Sequence, residues 1–208
     1  MTDGSKEFFD GVADAWDEMR KNFYSDAVRD RALDVADVKP GRLAADIGAG
    51  TGFMTEGLLA RGLNVVAVDQ SQRMLEQMKQ KFSAAGSVEY KLGGDSDLGI
   101  GDESVDYVFA NMYLHHVEDP PAAIRAMART LRPGGLLVIT DVDKHDFEFL
   151  REEHNDRWLG FPRDSVDRWF RDTGLRDVVV DDVGQNCCVE SSCGEAAAIG
   201  IFVASGTK

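Results

Sequence analysis

The sequence predicts a doubly wound α/β fold, in which helices cover both faces of a mostly parallel sheet. From residue 43 onward, short apolar runs alternate with segments of helical periodicity. Such an alternation is typical of parallel strands joined by right-handed helical crossovers. Near the end of the chain, only about fifteen residues without helical period separate the last two apolar runs. An antiparallel hairpin is the simplest connection of that length, so we expect the last strand to run against its neighbour.

Two helices are expected before the sheet begins. Apolar side chains recur at helical spacing over about 5–20, which predicts an amphipathic helix rich in aromatic residues. A second helix is expected at 26–35. The predicted strands are 43–47, 63–68, 88–92, 105–110, 136–140, 178–180 and 196–204. The later helices are predicted at 52–61, 71–82, 120–131 and 165–173.

Bulk properties favour one domain that spans 1–208, with 43% hydrophobic residues to form one core. No apolar run approaches the roughly 18 residues that a membrane span needs. The first residues, MTDGSKEFFDG, do not resemble a secretory leader. Three cysteines between 187 and 193 are too few for a disulfide framework, so we expect a cytoplasmic protein with free thiols.

The charge balance argues against nucleic acid as a partner. Lysine and arginine number 23 against 37 acidic residues, which gives a net charge of −14. A phosphate backbone is bound by clustered basic side chains that release counterions. We therefore expect a small-molecule partner, no membrane association, and a monomer or homodimer.

A glycine-rich loop follows the first predicted strand, in the segment DIGAGTG at 46–52. Glycines at a strand-to-helix turn allow a tight bend and let a ligand lie against the backbone, and a helix N-terminus favours an anionic group. A dinucleotide fold prefers G-x-G-x-x-G, but the position of its last glycine is Phe53 here. The spacing therefore weighs against a nicotinamide oxidoreductase.

Asp69 ends the second predicted strand, 21 residues after Gly48. An acid at that strand tip can accept hydrogen bonds from both hydroxyls of a ribose. The alternative is that Asp69 only caps the following helix. Together with the glycine loop, Asp69 indicates a site for an adenosine-containing ligand.

Four segments carry a resemblance to a known family: ADIGAGTG, VVAVDQSQRML, VDYVFANMYLHHVEDPPAAI and LRPGGLLVITD. They resemble the successive motifs of class I S-adenosylmethionine-dependent methyltransferases, over about residues 5–205. The likeness is greatest to the small-molecule branch that includes quinone-biosynthesis and arsenite methyltransferases. It implies a seven-stranded sheet with the order 3-2-1-4-5-7-6 and strand 7 antiparallel. It also implies S-adenosylmethionine as the cofactor.

The resemblance assigns a set of residues to this cofactor. The glycines would lie under the methionine moiety, Asp46 would organise its amino group, and Asp69 would bind the ribose. The expected cofactor residues are Asp46, Gly48, Gly50, Gly52, Asp69, Gln70, Met74, Asp95, Ser96 and Asn111.

Two of these assignments have alternatives. Met74 would pack on the adenine, but it shares its helical face with Met78 and Phe82 and fits the core equally well. The acidic residue that the family places near the adenine falls on Gly94 in this chain, whereas the aspartate is the next residue, Asp95. Asp95 and Ser96 are therefore the expected adenine contacts, with an ordinary solvated loop as the alternative.

The expected catalytic residues are Asn111 and His116. Asn111 resembles the residue that lines the mouth where the methyl group points. His116, preferred over His115, could accept a proton from the nucleophile, because imidazole titrates near neutrality. A packing role for these histidines is the alternative. Methyl transfer depends chiefly on positioning, so a base is not required. The expected substrate-wall residues are Tyr113, His154 and Trp158.

Cys187, Cys188 and Cys193 lie between the last two predicted strands. Three thiols could bind a soft metal or a trivalent metalloid, although their spacing matches no standard zinc motif. Methylation of a thiophilic metalloid or a thiol substrate is therefore an alternative function, and small buried side chains in a turn are the structural alternative.

The aromatic N-terminal segment, 1–38, is expected to act as a helical lid over the cofactor. Closure of such a lid would exclude water from the reaction. A module that binds S-adenosylmethionine without turnover would carry the same binding motifs, so it remains the alternative from another functional class.

Overall fold

Seven strands form one sheet in the computed structural model, which describes residues 3–95 and 97–208. The strands are β1 (Leu43–Ile47), β2 (Asn64–Asp69), β3 (Val88–Leu92), β4 (Val105–Asn111), β5 (Leu131–Val142), β6 (Arg176–Glu190) and β7 (Ala196–Thr207). Their order across the sheet is β3-β2-β1-β4-β5-β7-β6. Neighbours from β3 to β5 pair in parallel, whereas β7 is antiparallel to both β5 and β6. The predicted fold class, strand order and antiparallel last strand are confirmed.

Helices cover both faces of this sheet. They are α1 (Asp3–Val12), α2 (Trp16–Arg20), α3 (Ala27–Ala36), α4 (Phe53–Ala60), α5 (Gln72–Lys81), α6 (Pro120–Thr130), α7 (Phe149–Glu153) and α8 (Arg163–Asp172). Leu33 and Leu58 pack α3 and α4 on one face, while Ile124 and Phe170 pack α6 and α8 on the other. Strands β1 and β2 therefore bury nearly every side chain, which explains their continuous apolar runs. No helix in the described part of the chain is long and apolar enough to cross a bilayer.

The single helix expected over about 5–20 is wrong, because the chain forms two helices with a turn between them. Helix α1 ends at Val12, and the Ala15 amide donates to the Val12 carbonyl at 3.0 Å across the turn. Gly11 in the last turn of α1 disfavours helix by about 1 kcal/mol relative to alanine. The turn brings the rings of Phe9 and Trp16 edge to face, with centroids 5.3 Å apart. The glycine and this contact across the turn both favour two helices over one.

The last two strands are longer than the sequence indicates. β6 has 15 residues, many of them exposed, so its second half lacks the apolar run that marks a buried strand. Cys187 and Cys188 consequently lie within β6 and pair with Ile199 and Ala198 of β7. The expectation that all three cysteines occupy the connection is wrong, because only Cys193 lies in the turn between the strands.

The topology produces one crevice at the carboxyl ends of the parallel strands. The chain winds outward from β1 to β3 and then returns to place β4 on the other side of β1. At such a reversal the loops that follow β1 and β4 separate and leave a cleft. The glycine loop, the end of β2 and the end of β4 all meet there.

Candidate active site

A cavity of about 1100 Å³, counted with its open mouth, occupies this crevice. The glycine loop and the ends of β1 and β2 form one end of it. Histidines and an aspartate from the loops after β4 and β5 form the other end. Aromatic side chains of α1, α2 and the segment after them lie along its length. A single space therefore connects the region expected to hold a nucleoside with a separate group of titratable side chains.

The glycine loop is held tightly against β2. The amide of Gly48 donates to the Val68 carbonyl at 2.9 Å, and the amide of Gly50 donates to Asp69 Oδ2 at 2.8 Å. Both glycines have positive φ, 68° and 53°. A Cβ on Gly48 would lie 2.3 Å from Cδ2 of Tyr113, so no larger residue fits there without displacing the tyrosine ring. This close packing keeps the backbone of the loop at the cavity wall.

Gly52 has a different role from the other two glycines. It is the N-cap of α4 with φ 95°, and a Cβ there would lie 2.4 Å from Cε2 of Phe82. It does not line the cavity. Its small size serves the contact between the start of α4 and the end of α5.

Two buried carboxylates lie at the glycine-loop end of the cavity. Asp46 Oδ2 accepts hydrogen bonds from the amide and hydroxyl of Thr55, at 2.9 and 2.7 Å. Asp69 Oδ1 accepts from the Ser71 amide at 2.8 Å. Burial raises the pKa of Asp46 to about 7 and that of Asp69 to about 6, because an ionised carboxylate loses its hydration, and the hydrogen bonds only partly offset this cost. This end of the cavity is suited to hydroxyl donors and to a cationic group.

Helices α1 and α2 are hydrogen-bonded to the glycine loop and to the start of α5. The Thr51 hydroxyl donates to Asp17 Oδ1, and the Ser71 hydroxyl donates to Asp10 Oδ1, both at 2.5 Å. Phe9 contacts Trp16 on one side and His116 on the other, with ring centroids 5.3 and 5.1 Å apart. The aromatic side chains of α1 and α2 therefore cover the length of the cavity.

A polar chain crosses the middle of the cavity. The side-chain amide of Asn111 donates to the Tyr24 hydroxyl at 3.1 Å, and its Oδ1 accepts from the Thr140 hydroxyl at 2.8 Å. Arg20 is 7% exposed, and its guanidinium carbon lies 4.0 Å from the centre of the Phe53 ring. Asn111 is thereby fixed at the cavity wall where β4 ends.

The far end of the cavity contains a buried histidine–carboxylate pair. His115 Nδ1 lies 2.7 Å from Asp141 Oδ1, and its Nε2 lies 3.8 Å from Asp156 Oδ1. Burial alone would lower the pKa of His115, but the two carboxylates outweigh it and raise this pKa to about 9. For His116, burial and the charge of His115 hold the pKa well below its usual range. The two adjacent histidines therefore differ in protonation near neutral pH.

Solved structures of other proteins share this architecture. An S-adenosylmethionine-dependent methyltransferase from Aquifex aeolicus matches with a TM-score of 0.65 and 20% identity, over 86% of this chain and 88% of that one. Haemonchus contortus phosphoethanolamine N-methyltransferase 2, solved with S-adenosylmethionine, matches with a TM-score of 0.71 and 17% identity, over 86% and 52%. At these identities the likeness establishes the fold.

Sequence relatives establish the family. The profile described as "Methyltransferase domain" matches residues 45–139. A 2-methyl-6-phytyl-1,4-hydroquinone methyltransferase of Oryza sativa subsp. japonica is 30% identical over 165 residues, 77% of this chain and 47% of the relative. The demethylmenaquinone methyltransferase of Clavibacter sepedonicus is 33% identical over 152 residues, 71% and 61% respectively. The chain belongs to the class I S-adenosylmethionine-dependent methyltransferases. The match spans 47% and 61% of the length of these two relatives.

Most residues expected to bind the cofactor of this family line the cavity. They are Asp46, Gly48, Gly50, Asp69, Met74 and Asn111. Met74 lines the cavity and is only 1% exposed, so both of its expected roles, cavity contact and core residue, are compatible. Gln70 instead lines a small neighbouring pocket together with Gly94, between the ends of β2 and β3. Ser96 lies outside the described residues.

Tyr113 connects the loop after β3 to the cavity. Its hydroxyl donates to Asp95 Oδ1 at 2.9 Å, and its ring lines the cavity. Asp95 does not line the cavity itself. Tyr113 was expected at the substrate wall, but it lies against Gly48 at the cofactor end.

Of the other two residues expected at the substrate wall, only one lines the cavity. His154 lines the cavity, and its ring contacts Phe23 edge to face at 5.3 Å. Trp158 does not line the cavity, is 41% exposed, and donates its indole N–H to the Val117 carbonyl at 2.9 Å. The sequence analysis missed Asp156, which lies between these two residues and lines the cavity. It also missed Arg20 and Tyr24.

The three cysteines do not form one site. Cys187 is buried and lines the cavity, and burial raises its pKa to about 12. Cys188 is exposed, as alternation along a strand requires for the next residue. Cys193 is also exposed, in the turn, with its sulfur 3.2 Å from the Ser191 hydroxyl. Only one thiol is placed to contact a ligand in the cavity.

The buried Asp46 predicts a measurable pH dependence of stability. Its pKa in the folded protein, about 7, exceeds its ordinary value of 3.8. Between these values the folded protein holds a proton that the unfolded chain releases, so stability falls as pH rises through this window. Asp46→Asn removes this ionisation and keeps an acceptor for Thr55. The free energy of unfolding is measured in urea without cofactor. Between about pH 5 and about pH 8, it should fall by about 2–3 kcal/mol more in the wild type than in this variant. Equal losses would show that Asp46 ionises freely in the fold.

Proposed function

We propose that this chain transfers the methyl group of S-adenosylmethionine to a small-molecule acceptor. One observation carries the proposal: a single cavity joins the glycine loop and its two carboxylates to a separate wall of histidines and aromatic rings. A methyl donor and an acceptor must meet in one space that excludes bulk water. The cavity provides one end for the donor and the other end for the acceptor.

The cofactor end fits the chemistry of S-adenosylmethionine. In the proposed complex, the ribose hydroxyls would donate to Asp69, and the amino group of the methionine moiety would lie near Asp46. The backbone at Gly48 and Gly50 would support that moiety, and Met74 would pack near the adenine. Aromatic rings from α1 and α2 suit the sulfonium, because a cation is attracted to the face of an aromatic ring.

The reaction is an in-line displacement. A lone pair of the acceptor forms a bond to the methyl carbon while the carbon–sulfur bond breaks, and the sulfur keeps that electron pair as a neutral thioether. The acceptor's proton passes to water or to His116, which lines the cavity. Asn111, fixed by Tyr24 and Thr140, positions the methyl group. Positioning supplies most of the rate enhancement in such a reaction.

Within the expected lid segment 1–38, α1 and α2 form the lid of a single domain, since α3 packs on the sheet through Leu33. Its contacts to the glycine loop through Asp17, and to the start of α5 through Asp10, hold it over the cofactor end. Asp14 also accepts hydrogen bonds from Arg73 and Gln77 of α5, and Lys81 donates to Asp17. These exposed contacts contribute about 1 kcal/mol or less each, so α1 and α2 are released at a moderate cost. Cofactor exchange then proceeds by release of α1 and α2.

The acceptor class is a hydroxylated aromatic compound. The two relatives are named for a hydroquinone and for demethylmenaquinone. The acceptor end of the cavity carries Phe23, Val142 and Leu150 beside its titratable groups, which suits a flat apolar molecule with a polar edge. Methylation of a metalloid through three thiols is disfavoured, because only Cys187 lines the cavity.

Substitution of the strand-tip acid tests cofactor binding. Asp69→Ala should weaken binding of both S-adenosylmethionine and S-adenosylhomocysteine by about tenfold or more, since a buried charge-assisted hydrogen bond is lost. Calorimetry measures both affinities. Asp106→Ala is the matched control, because Asp106 accepts the Leu43 amide at the opposite end of β1. Equal affinity in the two variants, or a preference of the wild type for NAD, would contradict the cofactor assignment.

Turnover distinguishes an enzyme from a binding module. A panel of hydroquinones, phenols, small thiols and arsenite is incubated with the protein and S-adenosylmethionine, and release of S-adenosylhomocysteine is measured. We expect release with at least one hydroxylated aromatic acceptor. Tight cofactor binding without release from any acceptor would favour the non-catalytic module.

A further inference from the structure

The acceptor end of the cavity brings together three side chains of the kind that bind metal ions. His115, His116 and Asp156 are buried, and their donor atoms all lie within 4.8 Å of one another. Asp156 Oδ1 is 3.8 Å from Nε2 of His115 and 4.0 Å from Nδ1 of His116. All three residues line the cavity. Two imidazoles and one carboxylate are therefore within reach of one ion next to the expected position of the acceptor. Nδ1 of His116 also lies 3.3 Å from the Asn155 carbonyl oxygen, a contact that this nitrogen gives up when it binds an ion.

A fourth residue holds His115 in the orientation that a metal ligand requires. Asp141 Oδ1 contacts Nδ1 of His115 at 2.7 Å, which directs Nε2 of His115 toward Asp156. Asp141 is itself fixed, because its two oxygens accept the amides of Leu114 and Val142, both at 2.8 Å. Histidine ligands of metal ions usually donate their other ring nitrogen to a carboxylate in this way.

The charges of this end also favour a bound cation. Asp141 has no exposed side-chain surface, and the side chain of Asp156 is 8% exposed. Burial of two carboxylates costs several kcal/mol unless positive charge compensates them. His115 supplies at most one positive charge against these two carboxylates, and Arg151 is a further cation near Asp156. A divalent cation would balance both carboxylates and leave the imidazole neutral.

We propose that His115, His116 and Asp156 bind a divalent transition-metal ion, with at least one coordination position open to the cavity. Nitrogen and carboxylate ligands suit zinc, cobalt, iron and nickel better than magnesium or calcium. Ligands about 2.0–2.2 Å from such an ion lie roughly 3–3.5 Å apart. The two distances to Asp156 are 3.8 and 4.0 Å, and the two histidine nitrogens lie within 4.8 Å of each other. All three separations reach that spacing with movements of about 1 Å in each side chain.

The metal site narrows the acceptor class, and this step rests on the proposed methyl transfer. An ion at the acceptor end binds an acceptor through an ionisable hydroxyl, lowers the pKa of that hydroxyl, and aims its oxygen at the methyl group. The hydroxyl proton passes to solvent water. His116 then acts as a ligand, and the ion takes the role that the sequence analysis gave to this imidazole as a base.

Cobalt(II) is the probe, because its visible absorption reports the ligand type and geometry. The starting protein carries Cys188→Ser and Cys193→Ser, which removes the exposed thiols. We expect it to bind one equivalent of Co²⁺, with a visible absorption spectrum typical of nitrogen and oxygen ligands. His116→Gln and Asp156→Asn should each weaken binding by about 30-fold or more. His145→Gln is the matched control, since His145 lines the same cavity outside the three-residue set and should leave cobalt affinity unchanged.

Thermal melting of each variant checks that it is folded, and calorimetry of S-adenosylmethionine runs beside the cobalt titration. If folded His116→Gln and Asp156→Asn both bind Co²⁺ as the starting protein does, or if the starting protein binds none, the metal site is overturned. Cofactor binding without cobalt binding overturns the metal site alone. Cobalt binding without cofactor binding supports the metal site and overturns the proposed methyl transfer.

Discussion

The carboxylate of Asp69 is the interaction on which the candidate site depends. It accepts the amide of Gly50 from the glycine loop and the amide of Ser71 at the start of α5. One side chain at the end of β2 thereby positions the loop after β1 and the helix after β2. The cost of its burial, visible in its raised pKa, is offset only in part by these hydrogen bonds. A ligand that donates further hydrogen bonds to this carboxylate would relieve that cost, which is why the strand tip both organises the fold and favours a nucleoside.

The cavity has two ends with different chemistry. At the cofactor end, Asp46 and Asp69 are carboxylates held by backbone and hydroxyl donors of rigid elements. At the acceptor end, Asp141 and Asp156 are paired with His115. Apolar and aromatic walls separate these groups and strengthen electrostatic interactions by excluding water. Under the proposed function, this division lets one cavity hold a cationic methyl donor beside its acceptor.

Much of the fold could be predicted because central parallel strands are buried on both faces. β1 and β2 therefore carry continuous apolar runs, and the glycines that follow β1 mark the turn directly. β6 was harder to predict, since an edge strand with exposed polar residues lacks that run. Arg20, Tyr24 and Asp156 could not be predicted, because each reaches the cavity through tertiary packing and no local pattern marks that position. Asp156 lies between His154 and Trp158, which were expected at the substrate wall, but a lone aspartate in a loop has no distinguishing pattern, and Trp158 does not line the cavity.

A crystal structure with S-adenosylhomocysteine would test the central claim most directly. The account predicts both ribose hydroxyls within about 3 Å of the carboxylate of Asp69. It also predicts the homocysteine moiety against the backbone of Gly48 and Gly50, with the sulfur facing the histidine end of the cavity. A ligand bound elsewhere, or bound in the crevice with its ribose turned away from Asp69, would contradict the account.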